Sequence, residues 1–78
     1  PSTTIAFYLP QRSHVRLDVY DVAGRLIATL LDEAMSAGRH AVAWNGQDGA
    51  GRTAASGVYF YRLRAEKFEQ TRKMILLR

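Results

Sequence analysis

The chain has 78 residues, with 11 Lys plus Arg, 7 Asp plus Glu, 2 His, no Cys and 47% apolar residues, for a net charge of +4. A chain this short buries roughly 60% of its unfolded surface, enough for one thin core but not for a deep catalytic cleft beside it, so an enzyme is not expected. The lack of Cys excludes disulfide scaffolds, thiolate zinc sites and thiol catalysis, and leaves packing to supply the stability.

Apolar and polar residues alternate over short spans broken by turn residues, the pattern of an all-β sandwich or barrel. The first predicted strand, Thr3 to Leu9, turns Ile5, Phe7 and Leu9 to one face and is ended by Pro10. The second, His14 to Tyr20, places Val15, Leu17 and Val19 on one face and Arg16, Asp18 and Tyr20 on the other. Asp21-Val22-Ala23-Gly24 reads as a tight hairpin turn, Asp bonding to the turn backbone and Gly taking a positive φ.

The third strand, Arg25 to Leu31, is then antiparallel to the second. Its apolar residues Leu26, Ile27, Leu30 and Leu31 break strict alternation, which predicts a bulge or a departure from the sheet. Asp32 to Gly38 reads as a crossover loop. Arg39 to Trp44 restores alternation, with His40, Val42 and Trp44 on one face, and NGQDGAGR (45–52) reads as compact turns. Gly57 to Ala65 and Phe68 to Leu77 form the last hairpin about a two-residue turn, Glu66-Lys67, which sets Arg64 opposite Glu69, Phe60 opposite Lys73 and Val58 opposite Ile75.

These six strands, or seven if Arg52 to Ala54 pairs, predict one antiparallel β-sandwich spanning residues 1–78, built of two sheets of about three strands each. The predicted core is Ile5, Phe7, Leu9, Val15, Leu17, Val19, Ile27, Leu30, Val42, Trp44, Tyr59, Tyr61, Leu63, Met74 and Leu76. No internal repeat is expected.

Candidate sites are few. In the glycine-rich loop, Asn45, Gln47, Asp48 and backbone carbonyls offer oxygens to calcium. One carboxylate falls short of the several that calcium usually takes, so Asn45 and Asp48 are expected to brace turns, and no metal or cofactor is expected. The imidazoles His14 and His40 lie on strands, with Asp18 and Asp21 as the carboxylates expected near His14, too few ligands for zinc. Ser2, Ser13, Ser36 and Ser56 fall at turns or termini, without the partners of a catalytic triad.

Arg outnumbers Lys nine to two, but the basic residues are scattered with no run of three. Tyr59 and Tyr61 point inward beside the basic cluster of the last hairpin, and Arg64 is expected to pair with Glu69, so nucleic acid is not an expected partner. No apolar stretch approaches the ~20 residues of a membrane helix. Tyr8 and Tyr20 point away from their apolar neighbours, too few exposed rings for a sugar platform. Both faces of the last hairpin are apolar near one end, which makes Val58, Phe60, Ile75 and Leu77, with Arg62 and Lys73, the candidate interface.

The order of signals, PSTTIAFYLP, VRLDVYDVAGRLIATL, AGRHAVAWNGQDGAGRTAASGVYFYRL and TRKMILLR, resembles the immunoglobulin-like domain of flagellar hook-capping proteins. It is also similar to the type A C-terminal sorting domains of type IX secretion. The resemblance covers the whole chain and rests on Tyr20-Asp21-x-x-Gly24 and on Trp44-Asn45-Gly46-x-Asp48-x-x-Gly51 ahead of Ser56-Gly57-Val58-Tyr59. It implies an Ig-like or fibronectin-like sandwich at the C-terminus of a larger secreted or cell-surface bacterial protein, and the lack of an initial Met fits a fragment. The function so implied is non-catalytic: secretion or sorting, surface attachment, or packing against the preceding domain. The alternatives are a structural assembly module of the hook-capping type and a carbohydrate-binding module on a hydrolase. The implied partners are the preceding domain, the secretion machinery or a surface component. Asn45 stands where the family usually has aspartate.

Overall fold

A computed structural model describes residues 2–77; Pro1 and Arg78, the latter one of the basic residues counted above, lie outside it. Six strands follow in chain order: β1 (Thr3–Leu9), β2 (Ser13–Asp21), β3 (Leu26–Met35), β4 (Gly38–Trp44), β5 (Gly57–Ala65) and β6 (Phe68–Leu76). All their pairings are antiparallel.

The strands divide two and four rather than three and three. β1 pairs with β4, and the second sheet runs β3-β2-β5-β6. The inward faces of both sheets meet in one core, in which Ile5, Leu9, Val15, Leu17, Val19, Trp44, Tyr59, Leu63, Met74 and Leu76 are buried. Phe7, Ile27, Leu30, Val42 and Tyr61 pack against it from partly exposed positions. Trp44 and Tyr59 meet edge to face with ring centroids 5.0 Å apart, tying the two sheets together. Their polar tips are satisfied locally: the Trp44 indole N–H donates to the Gln47 carbonyl at 2.9 Å and the Tyr59 hydroxyl to the Ala55 carbonyl at 2.6 Å.

The broken alternation of the third strand is a pair of bulges. Leu17 faces Leu31 and Asp18 faces Thr29, so Leu30 is extra; Val19 faces Ala28 and Tyr20 faces Leu26, so Ile27 is extra. Each insertion swings the next residues to the other face and lets the pairing resume. This corrects the expectation of a crossover loop over Asp32 to Gly38. Asp32 to Met35 remain in β3, opposite Arg16 to Ser13, and only Ser36 and Ala37 separate β3 from β4. The proposed seventh strand reduces to a single bridge between Gln47 and Thr53.

A repeat that strand reading passed over is Asp-x-x-Gly-Arg, present as Asp21-Val22-Ala23-Gly24-Arg25 and again as Asp48-Gly49-Ala50-Gly51-Arg52. The two copies fold alike. In each, one carboxylate oxygen accepts two backbone amides at 2.9 Å, from Ala23 and Arg25 in the first and from Ala50 and Arg52 in the second. The Gly24 and Gly51 amides return to the Asp21 and Asp48 carbonyls at 3.0 Å. Both glycines take left-handed φ, +85° and +81°, which side chains rarely adopt. The second copy is pinned to β3 by the Gly49 amide, which donates to the Ile27 carbonyl at 2.9 Å.

Candidate functional site

The outward face of the four-stranded sheet holds most of the chain's unusual chemistry. Antiparallel register places opposed residues on the same face, so rows can be read across β3, β2, β5 and β6. The first row is Asp32, Arg16, Arg64 and Glu69; the second is Thr29, Asp18, Arg62 and Thr71; the third is Leu26, Tyr20, Phe60 and Lys73. Val58 and Ile75 form a fourth on β5 and β6. The face thus runs from a charged end through a polar middle to an aromatic and aliphatic end.

Asp18 organises the polar middle. Although it points outward with Arg16 and Tyr20, as alternation requires, it is completely buried beneath its neighbours. Its carboxylate accepts the Arg16 Nε at 2.9 Å, the Thr29 hydroxyl at 2.8 Å, and at 3.4 Å both the Arg64 guanidinium and the Tyr20 hydroxyl. Burial opposes the charge, but the hydrogen bonds from Thr29 and Arg16 and the positive charges of Arg16 and Arg64 outweigh it, holding the carboxyl below the usual aspartate range. Arg62 extends the chain of contacts: its Nη2 donates to the Tyr20 hydroxyl at 3.0 Å, and its guanidinium carbon lies 5.3 Å from the Tyr20 ring centroid. The Nε groups of Arg62 and Arg64 are buried without an acceptor among the described residues.

Several expected pairings differ. Arg64 does face Glu69 in register, yet its guanidinium reaches across β2 to Asp18. His14 meets neither Asp18 nor Asp21; its Nε2 lies 2.6 Å from Asp32, which stands in β3 rather than in the expected loop. The arginines are scattered in sequence, but Arg16, Arg62 and Arg64 gather around Asp18 and Tyr20. Tyr20 is half-buried rather than exposed, whereas Tyr8, on the other sheet, is 61% exposed.

The interface candidates lie at the apolar end. Ile75 is 57% exposed, Val58 is exposed, Phe60 is half-buried, and Leu77 lies exposed just past the end of β6. Leu26, from β3, and Val22, from the first Asp turn, add exposed aliphatic surface that sequence reading left out. A depression of about 400 Å³ opens there, lined by Tyr20, Asp21, Val22, Gly24, Phe60, Arg62 and Thr71, with the Asp21 carboxylate held by Arg25. In the glycine-rich loop, Asn45 Oδ1 accepts the Gln47 amide at 3.1 Å, and Asp48 holds the turn described above. No cluster of three or more His, Cys, Asp or Glu suited to a metal occurs among the described residues.

Two antiparallel sheets closed over a Trp–Tyr core, with no helix among the described residues, make this an immunoglobulin-like β-sandwich. The chain belongs to the FlgD Ig-like domain family, which matches residues 1–68. Among solved structures, the crystal structure of FlgD from P. aeruginosa is similar, with a TM-score of 0.77 at 22% identity over 96% of this chain. The chain spans 59% of that protein's length. No curated protein matches. Of the two resemblances drawn from the sequence, the match falls to the hook-capping type and lends nothing to the type IX sorting domain.

Proposed function

We propose that the chain is a non-catalytic docking module of a larger protein of the flagellar hook-capping type, working outside the cytoplasm by presenting a rigid sheet face to other protein surfaces. The observation that carries this is membership of the FlgD Ig-like domain family over residues 1–68. The geometry favours it: the Asp18 network fixes Arg16, Arg62 and Arg64 in place, and the adjoining sheet end leaves aliphatic surface open to solvent. The partners are the preceding domain of the same protein or a neighbouring subunit, with the basic residues setting orientation and encounter rate. This puts the assembly role ahead of sorting. A sugar platform is disfavoured because Trp44 is buried and Tyr20 lies against Arg62, leaving Tyr8 as the exposed ring.

The test is to delete this domain from its parent protein in the bacterium that makes it, and to follow export and assembly separately. An assembly module leaves export unchanged and abolishes incorporation of the parent into its structure. Parent protein retained inside the cell would overturn this reading in favour of sorting.

A further inference from the structure

The charges on the outward sheet face do not balance evenly from end to end. Asp18 and Asp32 lie within reach of Arg16, Arg64 and His14 at the charged end, and Asp21 is taken by Arg25 in its own turn at 2.9 Å. Arg62 and Lys73, which border the apolar end, have no carboxylate partner among the described residues. Arg62 is nevertheless held in a fixed pose by the Tyr20 hydroxyl and ring, with the rest of its planar donor fork unpaired. The surface beside it is aliphatic: Val22 is 72% exposed, Leu26 51% and Ile75 57%.

From this complementarity we infer that the depression between Tyr20, Phe60 and Val22 binds an extended protein segment carrying an aliphatic or aromatic side chain beside an Asp or Glu. The apolar side chain fills the depression and the rest of the segment runs on over Val58 and Ile75 in the next row, while the carboxylate takes N–H groups of the terminal Arg62 nitrogens, with Lys73 adding charge at the rim. An anion without an apolar body, such as phosphate, would use Arg62 alone and leave the aliphatic surface bare. The inference rests on the docking reading above and adds to it the place and the chemistry of the partner.

The experiment is selection of random heptapeptides displayed on phage against the immobilised 78-residue chain. Synthetic copies of the enriched peptides are then titrated against the wild type and single variants. The expected result is enrichment of acidic residues next to aliphatic or aromatic ones. Arg62→Gln and Ile75→Ser should each weaken binding about tenfold, the scale set by loss of one charge-assisted hydrogen-bond pair or one anchor. Tyr8→Ala, on the opposite sheet, should leave binding unchanged, and raised salt should weaken it.

Should Arg62→Gln fail to fold, judged by circular dichroism, Ile75→Ser alone decides, because that side chain is already largely in solvent. The inference is overturned if nothing is enriched, if the enriched peptides lack acids, if they bind both variants as well as the wild type, or if inorganic phosphate or an oligonucleotide displaces them at low concentration. Any of these outcomes leaves the assembly role to be judged by incorporation of the parent protein. Failure of that role leaves peptide binding here as measured.

Discussion

Replacing Asp18 by Asn keeps the shape of the side chain and removes the buried negative charge that Arg16 and Arg64 share. Truncating one partner of a buried ion pair costs about 3–5 kcal/mol where the other partner is stranded in the interior. Here the Arg16 and Arg64 side chains are 39% and 40% exposed, so both can turn toward water, and the expected cost falls to about 2–3 kcal/mol. A domain of this length has about 4–12 kcal/mol of stability in total, so the loss should lower Tm by about 10–20 °C.

The pH dependence gives an independent check. A carboxyl held below its unfolded value stabilises the fold fully at pH above about 4, and that contribution fades as pH falls through the folded value. Urea denaturation of wild type and Asp18→Asn at pH 7, 5, 4 and 3 should therefore show a constant gap down to about pH 5 that narrows below pH 4. A variant within 0.5 kcal/mol of wild type at pH 7, or a gap that stays the same at pH 3, would refute the assignment of Asp18 as the charged centre of the network.

Gly24→Ala should cost about 1–2 kcal/mol through backbone strain alone, since nothing lies within 4 Å of where a Cβ would stand; Gly51→Ala should cost about the same, and two unequal denaturation midpoint shifts would show that the turns are not equivalent. Trp44→Ala should remove about 3–5 kcal/mol, close to global unfolding for a domain of this size, as read by circular dichroism; the wild-type indole fluorescence should be blue-shifted and move red on unfolding.

Much of the strand order was legible because it is written locally. The register of the last hairpin follows from the two-residue turn at Glu66-Lys67, which leaves one pairing that keeps Tyr59, Leu63, Met74 and Leu76 on the buried face. The bulges show in the sequence at Leu26, Ile27, Leu30 and Leu31, but a break in alternation reads the same whether the strand resumes or ends, so the pattern alone assigns Asp32 to Met35 to a loop. Asp18 shows the deeper limit. The pattern of β2 turns it outward, and outward it is, but its burial depends on Thr29 and Arg64, 11 and 46 residues away, brought in by two separate strand pairings. The apolar end was half-visible for the same reason: Val58, Phe60 and Ile75 share one hairpin, whereas Leu26 and Val22 arrive from another. The twin Asp turns were written openly in the sequence and needed only a comparison of residues 21–25 with 48–52.

The two-and-four division of the strands bears on how the domain assembles. β5 and β6 close over a two-residue turn and β2 meets β3 across the first Asp turn, so each hairpin of the larger sheet forms from contacts near in sequence, while the β2–β5 pairing that joins the hairpins brings together residues as far apart as Arg16 and Arg64. The smaller sheet pairs Thr3 with Trp44 and Leu9 with Gly38, so its two strands enclose β2 and β3 in the chain. With one partner each, β1 and β4 rely on the side chains beneath them rather than on a ladder with neighbours on both sides. Lifting the N-terminal strand therefore leaves β4 without a ladder partner among the described residues, so the smaller sheet is kept or lost as a unit, whereas β2 and β5 of the larger sheet each hold a neighbour on both sides.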